Sequence, residues 1–191
     1  MEPNIVFVER IFSLYRKAVF DIIYQKKKFL LFHSINKRST IKQTTADYSV
    51  VINSFQYNKK ESSTYLFLFW KLLQVRPKIV IHEFSAGILS KPLLLLYCRL
   101  TKTKLIFWGH MYNRTQGFLP KKSLSDKYRL WLWQKADSLI TYSQAEKELL
   151  LANQIADHKV FVAYNTVDTG TFLKVRDKLE ALGKTAIRKQ L

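Results

Sequence analysis

A histidine directly follows a short apolar run in the segment 104-KLIFWGHMYNR-114. Leu105–Trp108 are typical of a buried strand, and Gly109 and His110 come next. A neutral imidazole can both donate and accept a hydrogen bond near neutral pH, so His110 could act on a ligand at the strand end. Gly109 would let the backbone come close to that ligand. The alternative is a strand-end histidine whose hydrogen bonds are satisfied by the backbone.

Three further side chains stand where predicted elements begin or end. Tyr15 and Arg16 begin a predicted helix. The guanidinium could bind a phosphate group there, or it could be a solvated basic helix start. Glu83 ends a predicted strand beside His82. Its carboxylate could orient a substrate hydroxyl or act as a base, or it could pair with a neighbouring lysine.

Other polar residues follow later strands. Tyr112 and Arg114 lie in the long segment 111–122, which could be a lid or binding loop or only a surface connection. Ser143 follows the run 138-SLITY-142, and Asn165 and Asp168 follow 159-KVFVA-163. We expect these three to shape the edge of a cleft or a hinge.

Short β-rich runs alternate with helical patterns along the chain. The strands are predicted at 5–8, 29–32, 48–55, 78–83, 104–108, 138–142 and 159–163, and the helices at 14–25, 62–75, 86–100, 125–135, 144–153 and 172–191. Such alternation predicts an α/β fold, a doubly wound Rossmann-like domain with a roughly seven-stranded parallel sheet. Ligands bind beyond the carboxyl ends of the strands in such sheets, where the residues above should lie. The segment VERIFSLYR after the first strand lacks glycine, which excludes a GxGxxG dinucleotide cradle.

The charge is the outlying property of the composition. The 191 residues carry 32 Lys and Arg against 14 Asp and Glu, a net charge of +18. This favours anionic partners such as lipid headgroups, nucleic acid or phosphate-bearing substrates. Helix 125–135 mixes Tyr128, Trp131 and Trp133 with basic residues, a pattern typical of a lipid interface or of packing on the sheet. One cysteine, Cys98, excludes an internal disulfide framework.

Three segments carry a resemblance to a known family. The pair 135-KADSLITYSQAEKELLL-151 and 159-KVFVAYNTVDTGTF-172 resembles a strand–helix unit and the following strand of family-four glycosyltransferases of the GT-B fold. The segment 14-LYRKAVFDIIY-24 resembles the first helix of members that build bacterial polysaccharides. The Gly109-His110 turn resembles the strand ending of the family. In contrast, Thr166 stands where many members have glycine, and the glycine-rich turn after strand one is missing.

The resemblance implies a role for each candidate residue. His110 would be catalytic, hydrogen-bonding the donor sugar at the cleft floor. Acceptor contacts would come from Tyr15, Arg16, Glu83, Gly109, Tyr112 and Arg114, and the hinge or cleft edge from Ser143, Asn165 and Asp168. The resemblance implies no metal and no cofactor, and makes a nucleotide sugar the donor substrate.

The resemblance also predicts an architecture. Residues 1–170 would be the amino-terminal, acceptor-side domain, and residues 171–191 a helical linker or the start of a carboxy-terminal domain whose donor-binding motifs the sequence lacks. We expect a retaining glycosyltransferase acting on a saccharide or lipid-linked saccharide in bacterial surface polysaccharide synthesis. We expect it to lie in the cytoplasm, peripheral on the inner face of the membrane, and to be inactive without the second domain. The alternative is a non-catalytic basic α/β module that binds anionic membrane or nucleic acid, although no specific nucleic-acid motif occurs.

Overall fold

Strands and helices alternate in the computed structural model, which describes residues 4–36, 39–57, 62–65, 67–84, 90–112, 117–118, 123–166, 169–170 and 173–180. The strands are β1 (Ile5–Ile11), β2 (Leu30–Ser34), β3 (Ser49–Val51), β4 (Ser54–Tyr57), β5 (Ser62–Tyr65), β6 (Ile79–Glu83), β7 (Lys104–Trp108), β8 (Ser138–Thr141) and β9 (Val160–Val162). The helices are α1 (Leu14–Lys26), α2 (Leu68–Val75), α3 (Lys91–Thr101), α4 (Leu124–Lys135) and α5 (Gln144–Ala152). Residues 173–180 are also helical.

Seven of these strands form one sheet in the order β3-β2-β1-β6-β7-β8-β9, and every neighbouring pair is parallel. The predicted α/β fold with a seven-stranded parallel sheet is therefore confirmed. The chain first builds outward from β1 to β3 and then returns to build outward from β6 to β9. The strand order thus reverses between β1 and β6, which opens a crevice at the carboxyl edge beside these two strands.

The apolar runs of the sequence form strands because both faces of the central sheet are covered. Along β1, Val6 and Val8 belong to a core cluster shared with α2, α3, α4 and α5, whereas Phe7 between them belongs to a second cluster shared with α1. The second cluster is aromatic: the ring centroids of Phe7 and Phe20 lie 5.3 Å apart, edge to face, and those of Phe7 and Phe29 lie 4.7 Å apart. α1 therefore lies on the face of the sheet opposite to the other helices.

Two predicted elements were wrong in part. The predicted strand 48–55 is interrupted after Val51, and Ser54–Tyr57 pairs instead with Ser62–Tyr65 as an antiparallel hairpin. The predicted helix 62–75 therefore begins only at Leu68. Thr64 and Tyr65 belong to residue types that favour extended backbone. Pairing with β4 satisfies the backbone hydrogen bonds of this segment. The predicted start of α3 at residues 86–89 and the predicted helical residues 181–191 lie outside the described residues.

Candidate functional site

A cleft of about 440 Å³ lies beyond the carboxyl ends of β7, β8 and β9. It is lined by His110, Tyr112, Tyr142, Ser143, Ala145, Glu146, Tyr164 and Asn165. Four of these are residues that the sequence singled out, namely His110, Tyr112, Ser143 and Asn165. The structure therefore brings them together at the sheet edge where a parallel α/β fold binds its ligands.

A glycine is required where the chain leaves β7. Gly109 has φ of +145°, and a Cβ at this position would lie 3.3 Å from the carbonyl oxygen of Phe84 and 3.4 Å from its nitrogen. Gly109 N–H donates to the carbonyl of Ile140 at 3.0 Å, and Phe84 N–H donates to the carbonyl of Trp108 at 2.8 Å. A side chain at residue 109 would be strained in this backbone and crowded by the chain that follows β6. The glycine thus lets the chain turn out of the sheet and carry His110 into the cleft.

His110 is held in the cleft by a buried carboxylate. Its Nδ1 lies 3.0 Å from Glu146 Oε1, and the side chain is 43% exposed against 4% for that of Glu146. The Tyr142 ring packs edge to face on the imidazole with centroids 4.8 Å apart. Because a carboxylate only accepts hydrogen bonds, Nδ1 donates to it. In the neutral ring Nε2, on the other side of the imidazole, is then the acceptor left for a substrate hydroxyl.

Glu146 is fixed by the start of α5. Ser143 is the N-cap, and its Oγ accepts from Glu146 N–H at 3.2 Å. Glu146 Oε2 accepts from the backbone N–H of Tyr142 at 3.0 Å, which leaves Oε1 for His110. This arrangement is close to a capping box, in which serine and a glutamate three residues later satisfy the first turn of a helix. The sequence reasoning missed Glu146, although the spacing of Ser143 and Glu146 is the local signal of such a cap.

A second polar cluster lies at the crevice between β1 and β6. Arg16 Nη1 donates to Glu9 Oε2 at 2.7 Å, and both side chains are buried. The Arg16 guanidinium also lies over the Trp108 ring, 4.5 Å from its centroid, and over Phe20 at 5.3 Å. Arg16 is therefore buried, hydrogen-bonded to Glu9 and packed between aromatic rings. A ligand phosphate could reach its guanidinium only if the surrounding side chains move.

Glu83 joins this cluster through an irregularity in β1. The register with β2 shifts between Glu9 and Ile11, so Arg10 is skipped in the ladder. Arg10 N–H donates to Glu83 Oε2 at 2.7 Å, and its guanidinium lies 4.0 Å from Glu83 Oε1. Ser34 Oγ donates to the Arg10 carbonyl at 2.7 Å. Glu83 thus accepts a hydrogen bond from the backbone of β1 and also lies near the Arg10 guanidinium.

Burial governs the protonation of this cluster. It raises the pKa of the Glu9 carboxyl to about 8, and the nearby Glu83 adds to the rise, whereas Arg16 and Arg10 oppose it. Burial lowers the pKa of Arg16, whereas the nearby Glu9 carboxylate raises it. The net effect is an increase in the pKa of Arg16. Burial also raises the pKa of Tyr142, whose ring lies beside that of Trp108 and connects this cluster to the cleft.

Replacing Glu9 by glutamine is expected to change how stability depends on pH. The pKa of Glu9 is higher in the folded state than in the unfolded state, so binding a proton at Glu9 stabilises the fold. This stabilisation is complete below the ordinary glutamate pKa of 4.5 and is lost as the pH rises through about 8. The glutamine variant should therefore gain roughly 3–5 kcal/mol relative to the wild-type chain between about pH 4 and pH 9. Urea unfolding of both proteins across this range measures the difference.

The matched control is Glu148→Gln, which removes an exposed carboxylate on α5. Its stability should run parallel to that of the wild-type chain. Comparison of variants is needed because other buried groups titrate too: burial lowers the pKa of Lys91 to about 7 and that of His82 to about 3. If the Glu9→Gln curve also ran parallel to wild type, the assigned burial of a costly carboxylate would be incorrect.

The remaining predicted site residues lie apart from the cleft or outside the described residues. Tyr15 is 43% exposed on α1, next to the buried Arg16. Arg114 and Asp168 belong to segments that the structure does not describe. In the part of the chain that is described, no group of three His, Cys, Asp or Glu side chains could hold a metal ion. The roles predicted for these residues remain predictions.

The family follows from comparison of the sequence with known protein families. The family model of Glycosyltransferase Family 4 matches residues 36–171, which include β7, the Gly109-His110 turn, Glu146 and Asn165. The chain belongs to glycosyltransferase family 4. This confirms the resemblance indicated by its motifs. A comparison with curated protein sequences finds no significant match.

Solved structures share the fold of this family-four chain at low sequence identity. UDP-GlcNAc 2-epimerase from Methanocaldococcus jannaschii, in complex with UDP-GlcNAc and UDP, matches with a TM-score of 0.60 and 14% identity over 95% of this chain and 52% of that one. UDP-N-acetylglucosamine 2-epimerase from Rickettsia bellii matches with a TM-score of 0.59 and 12% identity over 97% and 52%. HepE from Anabaena, in complex with UDP and glucose, matches with a TM-score of 0.54 and 12% identity over 87% and 45%.

The family-four chain spans about half the length of each of these structures. It has the Rossmann-like fold of an amino-terminal GT-B domain, and the family supports a glycosyltransferase-type function. None of the helices in the described segments combines the length and apolarity needed to cross a membrane.

Proposed function

We propose that this chain forms the acceptor-side half of the cleft of a retaining glycosyltransferase. The whole enzyme would move a sugar from a nucleotide-sugar donor to a saccharide or lipid-linked saccharide in bacterial surface polysaccharide synthesis. The observation that carries this proposal is the position of His110, which Glu146 holds at the carboxyl edge of β7 within the cleft. That histidine lies in the segment matched by the family.

The chemistry assigned to the cleft follows from its hydrogen-bonding groups. With Nδ1 directed to Glu146, Nε2 of the neutral His110 can accept a hydrogen bond from a sugar hydroxyl. Tyr112, Tyr164 and Asn165 line the same cleft and can contribute donors and acceptors that orient the sugars. No step in this scheme requires a metal ion from this chain.

A second domain would supply the contacts to the nucleotide. The residues that line the described cleft all belong to this chain, which covers about half of the similar structures. Those structures are described as complexes with UDP, UDP-GlcNAc or glucose, which supports a nucleotide sugar as donor. The net charge of +18 supports an acceptor that carries phosphates near an anionic membrane, on the cytoplasmic side where nucleotide sugars would be used.

The same charge supports a second candidate, a basic α/β module that binds nucleic acid without catalysis. A gel-shift assay across a salt series separates the two. Tight duplex binding with a steep salt dependence, together with no sugar transfer by the two-domain enzyme, would favour the module.

The transferase proposal is tested with the chain joined to its donor-binding domain. Purified enzyme is incubated with a panel of nucleotide sugars and lipid-linked acceptors, with and without EDTA, and the anomeric configuration of the product is determined by NMR. We expect transfer that survives EDTA and retains the donor configuration. An inverted product or loss of activity in EDTA would contradict the retaining or the metal-independent part of the proposal.

Glu146→Gln is expected to lower kcat of the two-domain enzyme about tenfold with little change in the KM for the donor. Glutamine has the same shape, but it can direct its NH₂ group to His110 Nδ1. Nδ1 would then have to accept a hydrogen bond, so the tautomer with the proton on Nδ1 and Nε2 as acceptor is no longer favoured. Steady-state kinetics measure the split between kcat and KM, a readout that a purely structural cap would not produce.

The matched control is Ser123→Ala, which removes the N-cap of α4 but lines no part of the cleft. It should cost about 1 kcal/mol of stability and leave kcat unchanged. If Glu146→Gln behaved like Ser123→Ala, Glu146 would be a helix cap without a role in positioning His110.

A further inference from the structure

α3 exposes an apolar stripe on the side that faces away from the sheet. Its inward face buries Leu94, Tyr97 and Cys98. Leu93, Leu96 and Leu100, spaced by three and four residues, are 51%, 51% and 71% exposed. This spacing places the three leucines on one side of the helix. An outward face of a surface helix is normally polar, so a leucine stripe there indicates a surface that is covered in use.

A groove continues this stripe towards α4. It has a volume of about 730 Å³, and its lining includes Leu95, Leu96, Trp131 and Lys135. Trp131 is 40% exposed and stacks on Tyr128 with ring centroids 5.9 Å apart, whereas Trp133 on the same helix is buried in the core. The structure thus resolves the two sequence interpretations of this helix, since Trp133 packs on the sheet and Trp131 faces outward.

Basic side chains line the groove together with Leu96 and Trp131. Arg99, Lys102, Lys104 and Lys135 line the groove together with one acid, Asp137. Lys104 Nζ donates to Asp137 Oδ1 at 2.8 Å, so this lysine and the acid compensate one another. Arg99, Lys102 and Lys135 remain as three positive charges in excess among the lining residues. We call the leucine stripe, Trp131 and these three residues the α3–α4 surface.

We propose that the α3–α4 surface docks this chain on an anionic lipid bilayer. Leucine and tryptophan side chains suit the boundary between headgroups and acyl chains, and surrounding arginine and lysine suit anionic headgroups. A second copy of the chain is a poorer occupant, because a symmetric contact would bring two positively charged rims together. The proposal goes beyond the proposed function, because it concerns a surface that does not line the cleft.

The topology leaves the cleft accessible in this arrangement. α3 follows β6 and precedes the parallel strand β7, so it runs back along the sheet from the carboxyl edge towards the opposite edge. The leucine stripe therefore forms a side wall of the domain and does not cover the cleft mouth beyond β7. A membrane bound to this wall would leave the cleft open, because Lys102 and Lys135 lie at the carboxyl ends of α3 and α4, towards the sheet edge opposite the cleft.

The test is flotation of the 191-residue chain with vesicles of phosphatidylcholine alone or mixed with phosphatidylglycerol, without any sugar donor. We expect binding to the anionic vesicles and a blue shift of tryptophan emission that Trp131→Phe removes. Leu96→Gln with Leu100→Gln should weaken binding about tenfold. Arg99→Gln with Lys135→Gln should weaken it about 25-fold, since each basic residue near the surface contributes about fivefold.

The controls lie on α1, which packs on the opposite face of the sheet. Ile22 is 55% exposed there, and Lys26 and Lys27 are exposed at its end. Ile22→Gln, and Lys26→Gln with Lys27→Gln, should each change binding less than about twofold. Because no transfer is measured, failure of docking is distinguishable from failure of the transferase proposal.

Four outcomes would overturn the docking proposal. The first is equal binding to neutral and anionic vesicles, and the second is equal weakening by the α1 controls. The third is a chain that does not bind vesicles but forms a dimer in sedimentation, where the dimer is lost in the Leu96→Gln and Leu100→Gln double variant. The last is binding of duplex nucleic acid, but not of vesicles, that depends on Arg99 and Lys135.

Discussion

Replacing His110 by alanine is expected to lower kcat of the two-domain enzyme by at least about 100-fold while the chain remains folded. The side chain is 43% exposed, so its removal costs little packing, and Gly109 still allows the turn out of β7. What is lost is the one imidazole among the residues lining the described cleft, which Glu146 orients for a hydrogen bond with a sugar. Initial rates of sugar transfer at saturating donor and acceptor measure the effect.

His158→Ala is the control for this prediction. His158 is also exposed, but it lies in a short 3₁₀ turn before β9 and does not line the cleft. Its loss should leave kcat unchanged, and thermal unfolding should show that both variants are folded. If the His110 variant kept full activity, His110 would be only a strand-end cap, and the assignment of the cleft would be incorrect.

At about pH 9, where the Glu9 carboxyl is ionised, replacing Arg16 by methionine is expected to destabilise the chain by roughly 3–5 kcal/mol, because the buried carboxylate then loses its partner. Folded domains are stable by only about 5–15 kcal/mol in total, so this would be a large fraction. Methionine keeps much of the contact with Trp108 and Phe20, so the loss reports mainly on the ion pair. The free energy of unfolding in urea measures it.

The neighbouring residue provides a matched control. Lys17 Nζ lies 2.8 Å from Asp21 Oδ2, at nearly the same distance as the Arg16 pair, but these two side chains are 35% and 37% exposed. Lys17→Met should cost less than about 1 kcal/mol. Arg16→Met combined with Glu9→Gln should recover most of the lost stability, since no carboxyl is then buried alone.

Kinetics distinguish this structural role from the predicted role of Arg16 in binding an acceptor phosphate. If Arg16 mainly contacts the acceptor, Arg16→Met would raise the KM for the acceptor and cost no more stability than Lys17→Met. A loss of stability without a change in that KM would place Arg16 in the framework that supports the cleft.

The elements that the sequence predicts well are those whose local pattern and tertiary environment agree. The run Leu105–Trp108 is apolar, short and followed by a glycine, and it is a central strand flanked by parallel neighbours. A strand that is buried on both faces is recognisable from a short run of consecutive hydrophobic residues. The position of Gly109-His110 at the sheet edge follows from the same pattern.

The contacts that define the candidate site are not encoded locally. His110 and Glu146 are 36 residues apart, and Arg10 and Glu83 are 73 residues apart, so only the packing of distant elements brings them together. Glu9 and Arg16 are nearer in sequence, but the Trp108 ring that lies against the Arg16 guanidinium comes from β7. The β4–β5 hairpin was missed because serine at residues 62 and 63 also resembles a helix start.

The central claim, that this family-four chain supplies one half of a sugar-transfer cleft, is tested most directly by a complementation assay. Transfer from a radiolabelled nucleotide sugar is measured for the 191-residue chain alone, for a donor-binding GT-B domain alone, and for the two joined. We predict no turnover above background by either part and measurable transfer by the joined protein. Robust turnover by the 191-residue chain alone would contradict the claim.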